Sequence, residues 1–93
     1  MTNAAETNSR PDATAQSLID SIFSGEVSPI YTARGCDYEF ECYDDLSTGE
    51  AGVVVYCYNS QDRLIWQACT SAAPGDRVID VVRNARDVKG YYR

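Results

Sequence analysis

The sequence predicts an α+β domain: an N-terminal helix, a three-stranded antiparallel β-meander and a C-terminal helix, with both helices packed on one face of the sheet. Three observations predict it. Apolar and polar residues alternate with period 2 from Cys36 to Tyr43, the pattern of a strand with one dry and one wet face. Two more runs rich in β-branched and aromatic residues, 53–58 and 64–70, follow across turn-rich links. On either side of these runs, apolar residues recur at helical spacing.

The first helix is expected to open at Pro11, with Ser9 or Asp12 accepting hydrogen bonds from its first N–H groups, and to stop at Gly25. Ala15, Leu18, Ile19, Ile22 and Phe23 form its apolar stripe. Residues 1–9 are small, polar and without period, and are expected to be a flexible N-terminal arm; residues 10–93 are expected to form a single α+β domain. Residues 26–35 make a connection in which residues 30–33 can pair as an edge strand that starts late because of Pro29.

In the first main strand Cys36, Tyr38, Phe40 and Cys42 alternate with Asp37, Glu39, Glu41 and Tyr43. A link containing Gly49 and Gly52 leads to the second strand, and Asn59, Ser60, Gln61 and Asp62 turn the chain into the third. With like faces kept together, Val53, Val55, Cys57, Leu64, Trp66 and Ala68 join Phe40 and Cys42 inside. The other face collects Asp37, Glu39, Glu41, Tyr43, Val54, Tyr56, Tyr58, Ile65, Gln67 and Cys69. A slip of one residue would invert any of these placements.

Pro74, Gly75 and Asp76 open the last helix, and Val78, Val81, Val82, Ala85 and Val88 make its stripe. Asp76 and Asp80 near its start, and Arg83, Arg86 and Lys89 near its end, complement the helix dipole. Valines are poor helix formers, so a strand over residues 77–83 competes; the spacing out to Val88 and a stop at Gly90 favour the helix. The short tail Tyr91, Tyr92 and Arg93 has no assigned role.

Length and composition bound the rest. The chain has 93 residues, 44% of them hydrophobic, and a formal charge of −6. A chain of this length buries about 60–70% of its unfolded surface, enough for one core. From residue 36 to residue 62 the chain carries Asp37, Glu39, Glu41, Asp44, Asp45, Glu50 and Asp62 and no Lys or Arg. Such a surface attracts basic partners and repels nucleic acid. No signal-like leader or membrane-length apolar run is present, so the expectation is a cytoplasmic protein that touches neither membrane nor nucleic acid directly.

Histidine is absent, which removes nucleophile–histidine pairs and the usual neutral-pH base. No phosphate-binding glycine loop or dinucleotide fingerprint occurs either. The four cysteines Cys36, Cys42, Cys57 and Cys69 lack zinc-site spacing. They are expected to be free thiols, although Cys42 and Cys57 face each other across the first hairpin in the expected register and would bridge in an oxidising compartment. Glu39 and Glu41 project about 7 Å apart from one strand face, without the desolvating cleft a catalytic carboxylate pair needs. No catalytic residue, metal or cofactor is expected.

What remains is a mixed face. Asp37, Glu39, Glu41, Asp44 and Asp45 stand beside Tyr43, Tyr56 and Tyr58, and carboxylates beside phenols suit an Arg/Lys-rich groove. The expectation is a small non-enzymatic inhibitor that docks this face, as a nucleic-acid mimic, on the basic site of a protein target. By size, acidity and missing catalytic groups it is similar to the inhibitors that phages make against host defence, anti-CRISPR proteins among them. The alternative is an enzyme or small-molecule-binding domain with a pocket between sheet and helices. A homodimer through sheet edges is compatible with either.

Overall fold

A computed structural model describes residues 11–44 and 49–88. The chain is α+β, with two helices and one antiparallel sheet of four strands rather than three. In order the elements are α1 (Ile19–Phe23), β1 (Ile30–Ala33), β2 (Cys36–Cys42), β3 (Ala51–Tyr58), β4 (Leu64–Ala72) and α2 (Val78–Val88). The strands lie in sequence order, β1-β2-β3-β4. The additional strand is the edge segment after Pro29. Its turn to β2 consists of Arg34 and Gly35, both with positive φ, 55° and 79°, the conformation that matches the twist of a two-residue hairpin.

The alternation in β2, β3 and most of β4 sorts residues between faces as expected. Tyr38, Phe40, Val53, Val55, Cys57, Trp66 and Ala68 are buried in one cluster with Ile19 and Ile22 of α1 and Val78, Val81, Val82 and Ala85 of α2. Helix α2 lies against β4 and, to a smaller extent, β3. Its valines are the element's buried stripe, so tertiary packing outweighs their weak helix propensity. The Val88 side chain, Lys89, the Gly90 stop, the tail and residues 1–10, including the Ser9 cap, lie outside the described residues.

Two expectations are corrected. The first helix does not run from Pro11; it is the five-residue α1, capped by Leu18 with no side-chain cap bond. The backbone before it is spent elsewhere. Ala13 bridges Tyr31 in parallel, Leu18 bridges Arg77, and Val78 and Ile79 donate their N–H groups to the Ser17 and Ala15 carbonyls at 2.8 and 3.2 Å. Residues 13–18 thus satisfy the orphan donors at the start of α2, which a helical backbone there would not allow. Leu18 is consequently exposed. The stop at Gly25 does occur: with φ 88° it donates to Ile22 while Glu26 donates to Ser21, the paired bonds of a Schellman cap.

The second correction is Leu64. The β3–β4 register shifts between Cys57 and Tyr58, so that Cys57 faces Trp66 but Tyr58 faces Leu64. This bulge breaks the period-2 phase, and Leu64 and Ile65 are both about half exposed, at 47% and 48%.

Candidate protein-binding face

Helix α2 and the core lie on one face of the sheet, and the other is assembled from the residues that alternate with the core. Along β2 these are Asp37, Glu39 and Glu41, opposite Tyr58, Tyr56 and Val54 of β3. Gln67 and Cys69 of β4 continue the rows from Tyr56 and Val54, and Thr32 and Ile30 of β1 flank Asp37 and Glu39. A line of carboxylates therefore runs up the sheet beside a line of phenols.

Hydrogen bonds fix part of this surface. The Tyr56 hydroxyl donates to Glu41 Oε1 at 2.6 Å. That bond is the main reason the Tyr56 phenol is raised above its ordinary pKa, with slight burial and the charges of Glu41, Tyr58 and Glu39 adding to it. The Thr32 hydroxyl donates to Asp37 Oδ1 at 2.7 Å. Glu39 is exposed and has no side-chain hydrogen bond among the described residues. Tyr43, just past β2, donates its N–H to the Gly52 carbonyl at 3.2 Å, and its hydroxyl meets the Cys69 thiol. Its ring lies over Gly52, where any Cβ would overlap it. Asp44 is exposed at the rim and accepts the Gly52 N–H at 3.2 Å.

Of the expected site residues, Asp37, Glu39, Glu41, Tyr43, Tyr56 and Tyr58 share the face, Asp44 borders it and Asp45 lies outside the described residues. Cys69 was expected on this face but without a role, and two further contributors were not expected there. Gly52 makes room for the Tyr43 ring, Cys69 anchors its hydroxyl, and Leu64 adds an apolar corner beside Tyr58. Only Gly52 carries a signal, as a glycine inside a strand, which marks a close approach. The expected meeting of Cys42 with Cys57 is corrected: Cys42 faces Val53, and Cys57 faces Tyr38. Cys57 instead lies against Cys36; burial first, then that neighbour's charge and hydrogen bond, pushes its thiol up to about 11.

Glu39 and Glu41 are both exposed, so neither is desolvated as a general acid requires. Among the described residues, no group of three or more His, Cys, Asp or Glu is placed to hold a metal ion, and no helix is long and apolar enough to cross a membrane. The fold and this face define a small α+β domain with a four-stranded antiparallel sheet, one side of which packs the core. No family model matches the chain, and neither does any curated protein or solved structure.

Proposed function

We propose that the chain is a small non-enzymatic binding protein that docks its acidic, tyrosine-lined sheet face on the basic, nucleic-acid-binding surface of a protein target and inhibits it. The observation that carries this reading is the alignment of Asp37, Glu39 and Glu41 along β2 directly beside Tyr56 and Tyr58 on β3. Carboxylates supply steering and register against Arg and Lys. Phenols supply contact area at low conformational cost, and their hydroxyls tolerate water before docking. The proposed action is thus that of a nucleic-acid mimic in the cytoplasm, the mode of the phage anti-defence and anti-CRISPR inhibitors.

The test is capture from a lysate by the tagged chain and by its Glu39→Lys/Glu41→Lys variant. The wild type is expected to retain nucleic-acid-binding proteins, and to release them as salt screens the contact. The variant, which puts like charges together, is expected to bind them at least ~10-fold more weakly. Capture indifferent to both the reversal and the salt contradicts the reading.

A further inference from the structure

A second feature lies away from the acidic face and does not depend on its role. Where the β1–β2 turn approaches α2, a cleft of about 230 Å³ is lined by Arg34, Arg83 and Arg86 together with Tyr31, Tyr38 and Ile79. The chain has only eight Lys and Arg in all and a net charge of −6, yet three guanidiniums converge on this one opening. Among the described residues, no carboxylate lines it. Like charges brought together with less counter-charge than their number repel one another, and an anion bound between them offsets that cost.

The three arginines reach the cleft for separate structural reasons. Arg34 is the first residue of the two-residue hairpin turn and holds φ at 55°, a conformation for which Asn or Gly is the usual choice. Arg83 and Arg86 are three residues apart on α2 and therefore share a helix face. Asp80 is shared, bonding Arg77 at 3.0 Å and pairing with Arg83 at 3.8 Å, while Arg34 and Arg86 have no ion pair among the described residues. Arg86 lies against the Tyr38 hydroxyl, which also faces the influence of Cys57 and Cys36. Tyr31 and Tyr38 are both buried and stack with ring centroids 5.7 Å apart, making a rigid wall.

We propose that this cleft is a binding site for a small phosphomonoester, with the phosphate held by Arg34, Arg83 and Arg86 and its organic part against Ile79 and the Tyr31–Tyr38 wall. The charge count selects the head group. A phosphomonoester carries close to two negative charges and three terminal oxygens near neutral pH, and guanidinium forks match those oxygens in pairs. A carboxylate, with one charge and two oxygens, leaves one guanidinium unused. The volume selects the size: it lies below the roughly 300–1,000 Å³ of pockets for drug-sized ligands, so the site suits a phosphate and little more than one ring.

The test is a titration of the full chain with phenyl phosphate, with benzoate in parallel, followed by backbone amide NMR and by calorimetry. Phenyl phosphate is expected to bind saturably, moving the amides of Arg34, Gly35, Tyr38 and Arg83, and benzoate to bind at least ~10-fold more weakly. Arg34→Gln and Arg83→Gln alter exposed side chains, and each is expected to weaken phenyl phosphate binding ~10-fold, the loss of one charge-assisted hydrogen-bond pair. Arg63→Gln, an exposed arginine outside the cleft, is expected to leave it unchanged. Absence of saturation, benzoate binding equally well, or Arg63→Gln weakening binding as much as the cleft variants would each overturn the proposal.

Discussion

At the scale of single residues, Gly52 and Cys57 show how the sheet controls chemistry on its two faces. An alanine at 52 gains strand propensity but overlaps the end of the Tyr43 ring. Because that ring is 57% exposed, it can swing away, and the expected stability change for Gly52→Ala is within about 1 kcal/mol. The consequence shows at Cys69, whose thiol loses the Tyr43 hydroxyl: its labelling by a thiol reagent should accelerate, and an unchanged rate would contradict the packing of Tyr43 over Gly52. On the inner face, Cys57 holds its proton more tightly when folded, with a pKa of about 11 against an ordinary 9.0. The stability this contributes is complete below pH 9 and is lost as the pH rises from about 9 to 11. Tyr38 and Tyr56, both raised from 10.0, act in the same direction at higher pH. Thermal melts should therefore show the melting temperature falling across that alkaline range, and Cys57→Val should flatten the early part of the fall; a flat wild-type profile would contradict it. The role of Cys57 was not legible beforehand, since its pairing with Tyr38 rather than Cys42 depends on a register that sequence alone leaves open.

At the scale of elements, the strands were the most readable because period-2 alternation needs only local information: β2 starts as expected and ends one residue early, at Cys42, and β3 and β4 extend slightly beyond the predicted runs. Reading failed where a distant backbone took over. The stripe of Ala15, Leu18, Ile19, Ile22 and Phe23 is helical in spacing, but Ala15 and Ser17 give their carbonyls to the start of α2, some sixty residues away in the chain. Similarly, the β-bulge beside Tyr58 turned Leu64 outward with no glycine or proline to announce it. The shortened helix makes a clear prediction. Ile19 is fully buried whereas Leu18 is 41% exposed, so Ile19→Ala should cost about 2–5 kcal/mol in denaturant unfolding and Leu18→Ala only about 0.5 kcal/mol or less. Comparable losses at the two positions would restore the longer amphipathic helix. The Arg34, Arg83 and Arg86 cluster was invisible for the same reason, because residues fifty apart meet only through the β1–α2 approach.

At the scale of the whole molecule, the chain separates its chemistry by side: a core and a basic cleft where α2 lies, acids and phenols across the opposite sheet face. The segregation of acids was readable from composition, and the structure adds that Asp37, Glu39 and Glu41 align rather than scatter. A standard interface takes about 800 Å² from each partner, roughly one-seventh of the 5680 Å² surface here. The account stands on the idea that this face occupies the place of nucleic acid on its target. The most direct measurement is the affinity of the chain for a captured target with and without that target's nucleic acid. Mutually exclusive binding is predicted, with the apparent affinity falling in proportion as nucleic acid is added; a ternary complex holding both, at undiminished affinity, would contradict it.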